Sequence, residues 1–157
     1  MHFPTSSTLA LVAVLAATSA SADITNDDLS RDPAVQTEQI IEVIEDVFAD
    51  ESPATIDTTI RIAMCESGLR NRSGRPIGII IHVETDGTVQ QGDVDPRDTG
   101  AFQINPAMHS RAWKQENPFN PREIVDNVEY ALALQEGRVQ SGQYRFADWQ
   151  PSRSCWS

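Results

Sequence analysis

What this chain has little of narrows the field first. Its 157 residues include two cysteines and three histidines, too few for the four-ligand sets of zinc fingers and ribbons. Lysine occurs once, at Lys114, and 12 Lys+Arg face 23 Asp+Glu, a formal charge of −11. Partners that track a phosphate backbone depend on clustered Lys and Arg that release counterions, so the charge argues against nucleic acid. There is no internal repeat and no low-complexity tract. The length suits one domain with a real core.

The acidity is concentrated. Asp23 to Asp57 holds eleven acids and one base, Arg31, which gives −10, while residues 58–157 hold twelve acids and eleven bases. A run of this kind is ordinarily a solvated face. Ahead of it, Leu9 to Ala17 is apolar and ends in Ala20-x-Ala22, the small-residue pattern of a signal-peptidase site, although the leader has no Lys or Arg. That run is too short to span about 30 Å of hydrocarbon. The expectation is a leader over residues 1–22, an acidic helical segment over 23–57, and an extracytoplasmic domain over 58–157 with no membrane anchor, acting as a monomer. In that compartment Cys65 and Cys155 can persist as a disulfide.

Local signals predict the elements. Asp32-Pro33 reads as a cap followed by Pro at the first helical position, with Val35, Ile40, Ile41, Ile44, Val47 and Phe48 at helical spacing behind it. A second helix begins at Ser52-Pro53 or Asp57, has Ile56, Ile60, Ala63 and Met64 on one side, and stops at Gly68. Ile77 to Val83, the turn Thr85–Thr88 and Val89 suggest a small hairpin. Asn120-Pro121-Arg122-Glu123 resembles a capping box for a helix that carries Ile124, Val128, Ala131, Leu132 and Leu134 and ends at Gly137. The tail is aromatic, with Tyr144, Phe146, Trp149 and Trp156. The sum is an α+β domain, mainly α, with a small β wing.

Glu66 is the most informative position. It lies at the C-terminal end of an apolar helix, where the helix dipole and partial burial both disfavour a carboxylate and raise its pKa. A carboxylic acid kept protonated near neutral pH can protonate a glycosidic oxygen. Gln103 and Asn105 are amides suited to sugar hydroxyls or N-acetyl groups, His109 can line the far side of a groove, and Tyr130 and the tail tryptophans can stack on sugar rings or fill a core. Asp93, Asp95 and Asp98 are candidates for a second carboxylate. As a calcium loop that run fails, because an EF-hand begun at Asp93 needs Gly and Glu where Asp98 and Ile104 stand. No metal and no cofactor is expected.

Four runs together resemble a known family. Ile62-Ala63-Met64-Cys65-Glu66-Ser67-Gly68-Leu69 resembles the catalytic-Glu helix of soluble lytic transglycosylases and goose-type lysozymes, and Gly100-Ala101-Phe102-Gln103-Ile104-Asn105-Pro106 their Gly-Leu-Met-Gln-Ile-x-Pro signature. Asn120-Pro121 with Asn127-Val128 is similar to their third motif. Trp149-x-x-Ser152-x-x-Cys155-Trp156 resembles the ending of small secreted bacterial members, in which the last Cys can pair with the one before the Glu. The resemblance spans roughly Thr58 to Trp156 and implies a lysozyme-like fold, a helical lobe and a hairpin lobe flanking a groove for peptidoglycan glycan strands. It implies Glu66 as acid and then base at the MurNAc–GlcNAc bond and favours Gln103 as a substrate contact; Asn105, Asp98, His109 and Tyr130 are the other candidates for positions around the substrate. A hydrolytic version would add a second carboxylate, and a module without catalysis would only bind glycan. Two family features have no counterpart: the Ser-x-x-Gly-Ala run, replaced by Val94 to Asp98, and a Tyr that contacts the Glu, which falls near Leu134 or Gln135.

Overall fold

The computed structural model describes residues 24–81 and 95–157. The predicted leader, the turn Thr85–Thr88 with Val83 and Val89, and Asp93 lie outside the described residues. Within them the chain is mainly helical with one two-stranded sheet. No described helix is long and apolar enough to cross a membrane.

Helix α1 (Pro33–Val47) starts where Asp32 accepts the backbone N–H of Ala34 and Val35 at 2.9 and 3.3 Å, with Pro33 pre-set in the first turn. Its Ile40, Val43 and Ile44 are fully buried, as is Phe48 just beyond it, while Glu38, Glu42 and Glu45 face water. These acids of the run are therefore the wet face of a core helix, while Glu51 pairs with Arg145 at 2.8 Å. A boundary at residue 57 does not separate it from the rest, because α1 packs on α2, α4 and β2.

Helix α2 (Pro53–Glu66) takes the earlier of the two predicted starts, with Ser52 Oγ accepting Thr55 N–H at 3.2 Å. Its buried face is Thr59, Ile62, Ala63 and Cys65, and Ile56, Ile60 and Met64 flank it, so the stripe is turned from the predicted one. Gly68 does not end the helix as a left-handed cap; it opens β1 (Gly68–Arg70) directly beneath the last turn. A Cβ there would sit 1.6 Å from the Met64 carbonyl oxygen, so only glycine permits this approach.

β1 pairs antiparallel with β2 (Pro76–Ile79), Gly68 facing Ile79. The hairpin thus closes toward α2, around Asn71, whose Oδ1 accepts from the backbone of Ser73 and Arg75, both at 3.0 Å. Gln36 and Thr37 of α1 hold the sheet's outer strand: Thr37 Oγ1 accepts Ile79 N–H at 3.1 Å and Gln36 Oε1 accepts Ile81 N–H at 3.0 Å.

After the short α3 (Arg111–Glu116), α4 (Ile124–Gln140) crosses the core with Val128, Tyr130 and Ala131 buried. The predicted capping box does not form. Asn120 Oδ1 accepts Arg122 N–H in a turn of its own, and Glu123 makes no side-chain cap. The start of α4 is satisfied from far away: Asn26 Oδ1 accepts Ile124 N–H at 3.1 Å and its Nδ2 donates to the Arg122 carbonyl at 2.6 Å. Nor does α4 stop at Gly137. It runs on to Gln140, and the left-handed residue is Gly142, at φ 68°. A 3-10 stretch (Ala147–Ser152) and α5 (Arg153–Trp156) then return the chain to the end of α2, where Cys155 is bonded to Cys65 with S–S 2.08 Å.

Candidate active site

A cavity of about 510 Å³ opens between the C-terminal end of α2, the 99–109 segment, α4 and the 3-10 stretch. That is an ordinary size for a ligand site. Glu66, Asp98, Gln103, Asn105 and His109 line it together, although they come from distant parts of the chain. A second cavity of about 480 Å³ adjoins it and shares His109 and Leu134.

One wall is the last turn of α2. Glu66 is the final helical residue, half-buried, and Ser152 Oγ donates to its Oε1. Burial is the largest influence on its carboxyl and raises the pKa. The Ser152 hydrogen bond opposes that rise, nearby Asp98 adds to it, and Arg70 opposes it more weakly. Arg70 meanwhile donates to the Cys65 carbonyl at 3.0 Å, covering one of the helix's orphan acceptors.

The opposite wall is a tight turn over Thr99–Ile104, whose two ends exchange backbone hydrogen bonds of 3.1 and 2.9 Å. Gly100 is at φ 73° and a Cβ on it would lie 2.4 Å from Asn127 Nδ2. Asn127 explains the crowding. Fully buried on α4, it accepts Phe102 N–H at 3.1 Å and donates to the carbonyls of Thr99 and Pro121 at 3.0 and 2.8 Å. Trp149 Nε1 pins the same turn by donating to the Phe102 carbonyl at 3.0 Å. Gln103 is held at φ 48° with its Nε2 on the Gly100 carbonyl at 2.9 Å.

The three aspartates separate. Asp95 is forked by Arg97, at 2.9 Å to Nε and 2.7 Å to Nη2, which pulls its pKa down to about 2. Asp98 lines the cavity, and its pKa is raised by burial first and by Asp95 second. Asn105 lines the cavity too, yet its Oδ1 caps Ala107 N–H at 3.1 Å and its Nδ2 reaches Asp95 at 3.3 Å. It therefore shapes the turn, and one lone pair and one proton of its amide are already committed there. His109 is half-buried and burial lowers its pKa, favouring the neutral ring.

Tyr130 is not at the surface of the cavity. It is 1% exposed, stacked behind His109 at 5.4 Å and Trp113 at 4.7 Å between ring centroids. Burial pushes its hydroxyl up to about 12. Of the tail tryptophans, Trp156 is core, while Trp149, also almost wholly buried, touches the cavity at its edge. Reasoning from sequence missed Ser152, Asn127 and Asp148, the last a cavity-lining carboxylate paired with Arg138; of these, Ser152 and Asn127 hold the two walls. Both stand inside motif runs, but their partners are 86 residues away for Ser152 and 25 and 28 for Asn127.

Among the described residues no group of three or more His, Cys, Asp or Glu is arranged to hold a metal ion. In comparisons with models of protein families, with curated proteins and with solved structures, nothing matches this chain.

Proposed function

We propose that the protein is an exported enzyme of lysozyme-like fold that cleaves the MurNAc–GlcNAc β-1,4 bond of peptidoglycan as a lytic transglycosylase, with Glu66 as general acid and then base. The observation that carries this reading is Glu66 itself, a carboxyl with a burial-raised pKa on the wall of a cavity. Protonated Glu66 gives its proton to the glycosidic oxygen as the bond to the muramyl C1 breaks. The resulting carboxylate takes the proton of the muramyl 6-hydroxyl, whose oxygen closes on C1. The products are a 1,6-anhydro sugar and a free 4-hydroxyl, and Glu66 is again protonated. The adjoining cavity beyond His109 suits a polymeric substrate that continues past the cleaved bond.

Asp98 favours a second reading. It alone of the three aspartates is described on the cavity wall, and a carboxylate there can activate water and give hydrolysis instead. Mass spectrometry of products released from peptidoglycan separates the two. Anhydro-muropeptides from the wild type and none from Glu66→Gln support transglycosylation. Reducing-end products that vanish in Asp98→Asn support hydrolysis. Folded wild type that releases nothing but retains glycan would leave a binding module.

A further inference from the structure

We infer that Ser152 is the positioning residue of Glu66: its hydroxyl, fixed by the Trp156 indole, holds the carboxyl group in both of its protonation states. The inference rests on the acid–base reading of Glu66 and adds to it the group that steadies the acid.

Ser152 immediately precedes α5, the place where a serine usually caps a helix, yet it makes no side-chain cap there. Its Oγ is turned inward instead. Three groups surround it: Glu66 Oε1, the Trp149 carbonyl oxygen at 3.1 Å and Trp156 Nε1 at 3.1 Å. An indole nitrogen only donates, and its one N–H is shared between Oγ and the Trp149 carbonyl, at 3.1 and 3.2 Å, so Trp156 occupies one lone pair of the hydroxyl oxygen with a bifurcated bond. One proton and one lone pair remain to be shared between Glu66 and the Trp149 carbonyl.

That arrangement serves both states without moving a heavy atom. When Glu66 is ionised, the serine proton points to the carboxylate in a charge-assisted bond. When Glu66 is protonated, the carboxylic O–H donates into the second lone pair of Oγ, and the serine proton turns to the Trp149 carbonyl. An acid that must give up and regain a proton in each cycle needs such a partner, because a buried polar group left unmatched in either state is costly. The pair is also braced covalently. Cys65, the neighbour of Glu66, is bonded to Cys155, three residues beyond Ser152, and Trp156 is 3% exposed.

The test uses the full chain with Ser152→Ala and Ser152→Thr, and reads the carbon-13 titration of the Glu66 carboxyl, its resonance assigned with Glu66→Gln, beside kcat, KM and the pH profile on peptidoglycan. Ser152→Ala is expected to move the Glu66 midpoint and the pH profile upward, since the ionised form loses its donor, and to lower kcat about 10–100-fold with KM little changed. Ser152→Thr, which keeps the hydroxyl, is expected to return both toward wild type. The inference is overturned if Ser152→Ala leaves the midpoint in place while thermal melting shows the fold intact, or if Thr restores nothing. If the midpoint moves but the wild type itself turns over no peptidoglycan, the proposed activity falls and the Ser152 assignment stands.

Discussion

The two walls of the cavity treat carboxylates in opposite ways. On the α2 side Glu66 is drawn out of water against the C-terminal segment, and burial raises its pKa. Behind the turn, off the cavity lining, the partly exposed Asp95 is claimed by Arg97, which lowers its pKa to about 2. Asp98 stands between these extremes, on the cavity wall and raised. The walls also differ in how they are held. The α2 wall depends on a disulfide and one hydroxyl, and the turn wall on a buried amide, Asn127, with a tryptophan N–H. Glu66 is thus set by desolvation and covalent bracing, and the turn facing it by hydrogen bonds to backbone.

The largest disturbance should come from the disulfide. Reducing Cys65–Cys155, which closes a loop with a sequence separation of 90, is expected to cost roughly 4–5 kcal/mol by the chain-entropy account. Urea unfolding with and without reductant measures it, and a loss below 1 kcal/mol would show that packing of Trp149 and Trp156 alone holds that wall. Next is Asn127→Ala, which strands Phe102 N–H and two carbonyls inside the protein. A loss of about 3 kcal/mol is expected, together with faster amide exchange at Phe102 and Ile104. Exchange unchanged at those two amides would mean the turn holds itself.

Asn26→Ala removes the distant cap of α4 and should cost about 1 kcal/mol, seen as a lower urea midpoint with the same slope.

The smallest effect is the most diagnostic of the contrast between walls, and its sign follows from linkage. Glu66 has a folded pKa above its ordinary 4.5, so its contribution to stability is complete below pH 4.5 and is lost as pH rises through the folded value. Asp95 has a folded pKa of about 2 against 3.8, so its contribution is complete above pH 3.8 and is lost as pH falls through about 2. Stability measured from pH 4 to 8 should therefore decline less steeply in Glu66→Gln than in the wild type. Parallel curves would mean that Glu66 is not desolvated.

How much of this was legible in the sequence followed the reach of each interaction. The starts of α1 and α2 were readable because Asp32 and Ser52 bond to amides two or three residues on. The start of α4 was misread because its cap is Asn26, 98 residues before Ile124. Glu66 was singled out from its place at a helix end and the run around it, and Ser152 was not, although its motif was in view, because its partner lies 86 residues away. Tyr130 was open to two readings, sugar stacking or core, and its helical spacing with Asn127 and Leu134 on the buried face is what decides for the core. Asp95 and Asp98 looked alike in sequence. They part because only Asp95 has Arg97 folded back onto it.

The 86-residue gap between Glu66 and Ser152 has a consequence in time as well as in space. A ribosome adding about 5–20 residues per second makes the carboxylate roughly 4–17 seconds before the hydroxyl that steadies it. Until then the nascent chain carries the acid in a bare helix end, with neither the Trp156 indole nor the second cysteine yet in existence. The braced pair can therefore form only once α5 has been made.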